Sequence, residues 1–301
     1  MPQNSCTRTD TVSHYLNYMS EIVIGIDVGS VSTKTVALCD RDSELLTSIC
    51  YPTCGDPLGV ASRSLREISQ TLEGNISGIA VTGSARELVG NAIEADIIKN
   101  EITCQALAAT HFYPSARTII EIGGQDSKLI FLRDGLVQDF SMNTVCAAGT
   151  GSFLEHQARR LGLDMSDFAV RAANSQSPVK IAGRCTVFTE SDMIHAQQTG
   201  AALNDVIFGL CLALCNNFLS DAGRARVVEQ PVIFQGGVAL NSGMVRAFEK
   251  ILNATIIVQV RPELTGAIGA ALLLIKDLEH NKGCLLRSQT RRISWDGMGR
   301  G

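Results

Sequence analysis

Two stretches of sequence, Asp27-Val-Gly-Ser-Val-Ser-Thr-Lys34 and Glu121-Ile-Gly-Gly-Gln-Asp-Ser-Lys128, decide the predicted fold because they repeat one pattern. They align without a gap, with an acid, an aliphatic residue, a glycine and a closing lysine in the same places. Apolar segments of strand length precede and follow each copy. Each copy is therefore predicted to be a hairpin with a turn rich in glycine and hydroxyl groups. Chance similarity of two surface hairpins is the alternative.

The repeat indicates an α/β chain with two similarly built halves that face each other across a cleft. A third glycine turn, Gln235-Gly-Gly-Val-Ala-Leu-Asn241, follows a predicted strand at 231–234. Apolar residues at helical spacing predict helices at 56–72, 97–109, 202–222 and 242–252.

The composition is that of a globular chain: of 301 residues, 45% are hydrophobic and 19% are charged. The net charge of −4 and the low aromatic content of 5% argue against a nucleic-acid-binding surface. No apolar run has the length of a membrane span, and no secretory signal opens the chain. The sequence therefore predicts a cytoplasmic protein that binds neither nucleic acid nor membrane.

Two of the ten cysteines, Cys146 and Cys185, have a distinctive setting. The cysteines contain no CxxC pair, and without a secretory signal a disulfide framework is not expected. Cys146 precedes a glycine-rich turn and a predicted helix, and Cys185 has a similar setting. Free N–H groups and the positive end of the dipole at a helix start lower the pKa of a thiol. Two thiolates alone are too few to hold a metal cluster within one chain. The alternative to a functional role for Cys146 and Cys185 is that both are simply buried, unreactive thiols.

The three glycine turns together predict a nucleotide site. Backbone N–H groups and hydroxyls of the two repeated turns can surround a polyphosphate, and the glycines of the third turn let a base or ribose approach the backbone. Mg²⁺ takes few protein carboxylates and keeps several waters, which suits Asp27 and Asp126. These two residues and Gln125 are the candidate catalytic residues. The candidate nucleotide-binding residues are Gly29, Ser30, Ser32, Thr33, Lys34, Gly123, Gly124, Ser127, Gly236, Gly237, Val238 and Asn241.

The lysines that close the two repeats have two possible roles. Lys34 and Lys128 either neutralise phosphates or lie at exposed hairpin ends.

The order of the three turns resembles the phosphate-1, phosphate-2 and adenosine motifs of the acetate and sugar kinase/Hsc70/actin superfamily. The segments VCAAGTGSFLE (145–155), GRCTVFTESD (183–192) and GGVALNSG (236–243), with TGAIGAAL (265–272), are more specific. They resemble the ATP-dependent activators of 2-hydroxyacyl-CoA dehydratases. That family also contains the ATP-hydrolysing subunits of benzoyl-CoA reductase and reductases of double-cubane iron–sulfur proteins. The resemblance covers about residues 21 to 275 and implies duplicated actin/hexokinase-like lobes, of the ribonuclease H-like type, with a nucleotide cleft between them.

In that family, the resemblance implies, each subunit gives two cysteines to one [4Fe–4S] cluster shared across a homodimer, and the matching positions here are Cys146 and Cys185. Four thiolates are the usual set for such a cluster, and two per chain require a two-fold partner. The implied function is an ATP-hydrolysing iron–sulfur reductase that uses ATP and Mg²⁺. Reduced ferredoxin or flavodoxin loads the cluster, and the dimer passes the electron to a partner iron–sulfur dehydratase or reductase.

The resemblance also divides the chain. Residues 21–103 with 266–280 form lobe I, and residues 104–265 form lobe II. An N-terminal extension at 1–20 and a tail at 281–301 complete the chain.

Two other functions stay open. One is a small-molecule kinase of the same superfamily, with Asp126 as its base. The other is a nucleotide-gated regulator whose cysteines bind zinc or sense oxidation. In addition, Gly83-Ser-Ala-Arg86 departs from the Gly-Tyr-Gly-Arg of the dehydratase activators, which leaves the partner enzyme open.

Overall fold

The computed structural model describes residues 21–72, 74–143, 150–182, 186–222 and 226–282. Cys146 and Cys185, the predicted cluster ligands, lie outside these residues. The predicted N-terminal extension and most of the predicted tail lie outside them as well. Within the described residues, the chain forms two five-stranded sheets with helices packed on them.

The first sheet has the strand order β3–β2–β1–β4–β5, with β1 antiparallel to β2 and parallel to β4. β1 is buried along almost its whole length because helices cover both faces of the sheet, so its apolar run does not alternate with polar residues. The strands are β1 (Glu21–Val28), β2 (Ser32–Cys39), β3 (Leu45–Pro52), β4 (Asn75–Thr82) and β5 (Ile97–Ile98).

The second sheet repeats this arrangement with the order β10–β9–β6–β7–β8. Its first strand in sequence, β6, is antiparallel to the next, β7, and parallel to β9. In both sheets, the five strands therefore have the same order, and the prediction of two similarly built halves is confirmed. The strands are β6 (Thr118–Ile122), β7 (Ser127–Arg133), β8 (Leu136–Asn143), β9 (Val232–Gln235) and β10 (Ile256–Val258).

Several helices begin at a side chain that caps their free N–H groups. Asp56 accepts a hydrogen bond from the N–H of Gly59, and Asn100 accepts one from the N–H of Thr103. The helices are α1 (Pro57–Thr71), α2 (Arg86–Ala92), α3 (Glu101–Phe112), α4 (Gly151–Arg160), α5 (Met165–Ala173), α6 (Thr186–Gln198), α7 (Leu203–Ala222), α8 (Ser242–Leu252) and α9 (Thr265–Lys282).

Helix α3 lies between the two sheets. Cys104 and Ala108 on one face belong to a core cluster with Val23 of the first sheet. Ile102 on the other face packs with Ile119 of the second sheet. The predicted boundary between lobes, at 103/104, thus falls inside a helix that both sheets share.

The sequence predicts one helix over 97–109, and this prediction is wrong at its start. Ile97–Ile98 forms β5, parallel to β4, and α3 begins only at Glu101. The β-branched isoleucines favour a strand, and Asn100 separates strand from helix by capping α3.

Helix α7 contains a stretch, Leu203–Ser220, that is the one candidate membrane span by length and composition among the described residues. Within the protein, 56% of this stretch is buried. Val206, Phe208 and Cys211 join the core on one face of the second sheet. The apolar composition of α7 therefore has a structural reason, since the helix packs in the core.

Candidate nucleotide-binding site

A cleft opens between the two sheets at the carboxyl ends of β1, β6 and β9. Its larger part has a cavity volume of about 590 Å³, and a smaller part of about 260 Å³ adjoins it. Asp27 and Lys34 from the first sheet and Gly123 and Gly124 from the second line both parts. Ligands of open α/β sheets bind at this end of the strands.

The two repeated hairpins have the same backbone geometry. Asp27 pairs with Lys34 across the first hairpin, as Glu121 pairs with Lys128 across the second. The N–H of Gly29 donates to the carbonyl oxygen of Ser32 at 3.2 Å, and in the second turn the N–H of Gly123 donates to that of Asp126 at 3.0 Å. The alignment of the two stretches is therefore structural.

The predicted site residues fall into two groups. The side chains of Thr33 and Ser127 are fully buried and are absent from the described lining of the cleft. The other predicted residues outside the cysteine segments line the cleft: Asp27, Gly29, Ser30, Ser32, Lys34, Gly123, Gly124, Gln125, Asp126, Gly236, Gly237, Val238 and Asn241.

The alternation of side chains along a strand explains why Thr33 does not line the cleft. β2 begins at Ser32, so Ser32 and Lys34 share the face toward the cleft while Thr33 points to the opposite face. There the hydroxyl of Thr33 lies 3.0 Å from that of Thr53, which donates to the carbonyl oxygen of Gly29 at 2.7 Å. Thr33 therefore supports the turn from behind.

The two closing lysines have different surroundings. Lys34 keeps 18% of its side chain exposed, and its Nζ is 3.4 Å from Oδ2 of Asp27. Lys128 has only 1% of its side chain exposed, and its Nζ lies 2.8 Å from one carboxylate oxygen of each of Glu101, Glu121 and Asp126. The interpretation that Lys128 lies at an exposed hairpin end is therefore wrong.

Burial and charge shift the titration of this cluster in opposite directions. Burial disfavours the Lys128 ammonium, but the charges of Glu121, Glu101 and Asp126 outweigh burial and raise the pKa of Lys128. Burial raises the pKa of Glu121 to about 7 against the attraction of Lys128. Burial likewise raises the pKa of Glu101.

Helix α4 begins on the second repeated turn. The N–H of Gly151 donates to the carbonyl oxygen of Gly123, and the N–H of Ser152 donates to that of Gly124, both at 2.9 Å. These are N–H groups of the first turn of α4, which have no partner within the helix. The start of α4 is thus fixed to the turn that lines the cleft.

The two glycines of the third turn differ in how much space surrounds them. Gly236 has a φ of +85°, and a β-carbon there would collide with the carbonyl oxygen of Ile122. A β-carbon on Gly237 would meet no atom of the described residues within 4 Å. Gly236 is therefore required by the fold, whereas Gly237 leaves space in the cleft.

Asn241 lies at the end of this turn and caps α8. Its Oδ1 accepts hydrogen bonds from the N–H groups of Gly243 at 2.9 Å and Met244 at 3.2 Å. Its Nδ2 is buried and has no hydrogen-bond partner among the described residues. Asn241 also lines the larger cavity, so this unused donor lies beside the cleft.

Sequence reasoning missed several residues of the cleft. Glu121 had a signal, since it aligns with Asp27 in the repeat. Glu101 and Gln105 had none, because α3 brings them to the cleft only through packing between the sheets. The larger cavity is further lined by Leu154, Met165, Ala169, Val170 and Leu240.

The carboxylates of the cleft suit a magnesium ion. The described residues contain no group of three or more His, Cys, Asp or Glu side chains arranged as a ready metal site. Mg²⁺ does not need one, because it binds through one or two carboxylates, substrate phosphates and water. Asp27 and Asp126, which line the same smaller cavity, offer such oxygens.

The fold and the cleft define a two-lobed α/β protein with a nucleotide site between its lobes. Residues 24–273 match the model of the BadF/BadG/BcrA/BcrD ATPase family. The chain belongs to this family and is an ATPase. The predicted actin/hexokinase-like fold class is confirmed by the likeness to solved activator structures.

Similar proteins include activators of dehydratases. The activator of lactoyl-CoA dehydratase from Anaerotignum propionicum is 38% identical over 252 residues, which are 83% of this chain and 95% of that protein. The structure of the activator of 2-hydroxyisocaproyl-CoA dehydratase from Clostridium difficile, with bound ADPNP, has a TM-score of 0.79 at 34% identity and covers 88% of this chain and 98% of that one. Component A of (R)-2-hydroxyglutaryl-CoA dehydratase from Acidaminococcus fermentans has a TM-score of 0.79 at 33% identity, with 86% and 100% coverage.

Proposed function

We propose that this chain is an ATP-hydrolysing iron–sulfur activator. It delivers low-potential electrons to a partner iron–sulfur enzyme of the 2-hydroxyacyl-CoA dehydratase, benzoyl-CoA reductase or double-cubane type. The observation that carries the proposal is the 38% identity to a dehydratase activator over nearly the whole of that protein, in a chain with a nucleotide cleft and the cysteines Cys146 and Cys185.

The cleft would bind ATP with its phosphates between the two repeated turns. Lys34 faces the cavity and would contact the phosphates, while Asp27 and Asp126 would hold Mg²⁺. The third turn would receive adenosine beside Gly237, with Nδ2 of Asn241 as a donor. The bound ADPNP in the similar Clostridium difficile activator supports this assignment. Bound Mg²⁺ would neutralise the charge that develops on the phosphates during hydrolysis.

Nucleotide-dependent movement has a direct route to the cysteine segments. The second repeated turn holds the first N–H groups of α4, and α4 starts five residues after Cys146. Helix α6 starts at Thr186, next to Cys185. A displacement of the turn on ATP binding or hydrolysis would therefore move the segment that carries Cys146.

Exposed apolar side chains flank both cysteine segments and support a homodimer. Phe140 and Met142 lie on β8, which runs toward Cys146, and Val187 and Phe188 lie in the first turn of α6. Exposed apolar surface of this kind marks association sites. In a two-fold dimer, four thiolates would hold one [4Fe–4S] cluster, the usual set for this group. Reduced ferredoxin or flavodoxin would be its donor in the cytoplasm.

The two rival functions, a small-molecule kinase and a zinc-binding or oxidation-sensing regulator, are not favoured by any relative reported above. The dehydratase activators align over 83% to 88% of this chain, so both rivals would need a change of function within one family.

Metal analysis of anaerobically purified protein tests the proposal. We expect about two irons and two sulfides per chain, the content of one [4Fe–4S] cluster per dimer. Cys146→Ala and Cys185→Ala should each lose the iron, whereas Cys54→Ser, at an exposed cysteine with no proposed role, should keep it. Zinc in place of iron, or a metal-free dimer with unchanged activity, would overturn the proposal.

A further inference from the structure

The lysines at equivalent places of the two hairpins are held in different ways. Lys34 lines both parts of the cleft, and its Nζ lies 3.4 Å from a carboxylate oxygen of Asp27. Lys128 is buried and lies 2.8 Å from three carboxylates. Since the backbones of the hairpins match, the difference comes from what surrounds each ammonium group.

The partners of Lys128 come from three separate elements. Glu101 stands in the first turn of α3, Glu121 lies on β6, and Asp126 belongs to the second repeated turn. Because α3 packs on both sheets, the Glu101–Lys128 ion pair fixes the start of this shared helix to the second hairpin.

The ammonium group of Lys128 is engaged by carboxylates of the described residues. Of its three N–H groups, two donate to Glu121 and Asp126, each at 2.8 Å, and Glu101 forms an ion pair with it at the same distance. Moving the ammonium into the cleft would leave Glu121, whose side chain is 6% exposed, as a buried unpaired carboxylate. Separating the partners of a buried ion pair strongly destabilises the protein, because a charge is then buried without a partner.

We propose that Lys128 is a positioning residue, which holds the Glu101 and Asp126 carboxylates in place at the cleft floor, and that Lys34 alone of the two lysines contacts the phosphates. This inference rests on the proposed ATP site. Glu101 and Asp126 both line the smaller cavity. Carboxylates that act on a bound metal ion or water must be held to well under 1 Å of their working positions, and a buried ammonium group that is ion-paired with both of them does this.

The test uses a charge-neutral double variant, Lys128→Met with Glu121→Gln. Lys128→Met alone would leave Glu121 unpaired in the core and endanger folding. Measured near pH 8, above the pKa of about 7 for Glu121, the double variant removes one positive and one negative charge, so the net charge of the cleft is unchanged. Lys34→Met is the matched comparison at the equivalent hairpin position. A cooperative unfolding transition without nucleotide verifies that each assembled variant is folded.

Nucleotide affinity and turnover separate the two roles. In the double variant, we expect the Kd for a fluorescent ATP analogue to change by less than about 3-fold, kcat to fall at least about 10-fold, and the Mg²⁺ concentration for half-maximal binding to rise. In Lys34→Met, the Kd should rise on the order of 10-fold through loss of a charge-assisted contact.

Two results would overturn the inference. An affinity loss in the double variant as large as that of Lys34→Met would make Lys128 a nucleotide ligand. An unchanged kcat and Mg²⁺ requirement would remove its positioning role. By contrast, wild-type protein that binds no ATP analogue would contradict the proposed function itself, before any variant is compared.

Discussion

A β-carbon on Gly124 would lie 2.5 Å from Cγ2 of Val31, so the two repeated turns pass against each other with no side chain on Gly124 to separate them. Val31 belongs to the turn of the first sheet, and Gly124 belongs to that of the second. The two halves of the protein therefore meet at the end of the cleft where the phosphates are proposed to bind.

Gly124→Ala should push the two turns apart. Its φ does not lie in the left-handed region, so the backbone accepts alanine and only the contact with Val31 is strained. We expect ATP affinity to fall on the order of 10-fold, because the phosphate groups need both turns at once. Isothermal titration with ATP measures this change.

Val31→Gly in the Gly124→Ala background is the matched control. It removes the γ-methyl groups and also the β-carbon, which would lie 2.9 Å from the new methyl group. ATP affinity should largely return. If it stays as low as in Gly124→Ala alone, contact between the turns does not determine binding.

Gly236→Ala and Gly237→Ala should impair different properties although the residues are neighbours. The first should lower stability, and the second should lower ATP affinity. Alanine at 236 needs a φ of +85° and collides with the carbonyl oxygen of Ile122, so the nucleotide-free protein should lose at least about 1 kcal/mol of stability. Alanine at 237 meets open space, so its stability should be unchanged while ATP affinity falls. Thermal unfolding and ATP titration of both variants check this, and full ATP affinity in Gly237→Ala would contradict adenosine binding at this turn.

The sequence was informative where one local pattern decides the structure. Ile22 to Ile26 form an uninterrupted apolar run, so β1 could be predicted as a buried strand. β8 (Leu136–Asn143) could not, because it is an edge strand whose residues are mostly exposed and show no buried face. Strand β3 was missed for the same reason, since half-buried positions on it carry both polar and apolar side chains.

The same limit applied to the site. The repeat identified Asp27 and Lys34, but it did not show that β2 already begins at Ser32. Because the side chains of β2 alternate from Ser32 onward, Thr33 points away from the cleft, which the repeat alone does not indicate. The contact between Lys128 and Glu101 could not be predicted, because Glu101 reaches Lys128 only through the position of α3 between the sheets.

Two substitutions of Asn241 should separate its role as the cap of α8 from its proposed contact with ATP. Asn241→Ala removes the cap of α8 and should cost about 1 kcal/mol of stability. Asn241→Asp keeps the accepting oxygen and so the cap, but it replaces the free Nδ2 donor with an oxygen. We expect Asn241→Asp to keep the cap yet to bind ATP more weakly, through loss of the donor and through the negative charge that it adds at a 4% exposed position. Denaturant titrations and ATP titrations measure the two effects, and equal ATP affinity in wild type and Asn241→Asp would exclude a nucleotide contact by Nδ2.

Glu121 should make stability fall as pH rises. Burial raises the pKa of Glu121 from 4.5 to about 7 in the folded protein. A carboxyl group whose pKa is raised on folding stabilises the native state fully below the unfolded value of 4.5, and this contribution is lost as pH rises through about 7. Between about pH 5 and about pH 8, wild type should lose about 2 kcal/mol relative to Glu121→Gln, which has no proton to release.

Urea denaturation of wild type and Glu121→Gln at both pH values measures this difference. Lys128 stays protonated throughout, because its three carboxylate neighbours raise its pKa further above this range. The effects of pH on the other ionisable groups are common to both proteins, so they cancel when the two proteins are compared. A parallel loss of stability in the two proteins would mean that Glu121 is ionised across the whole range, with the attraction of Lys128 outweighing burial.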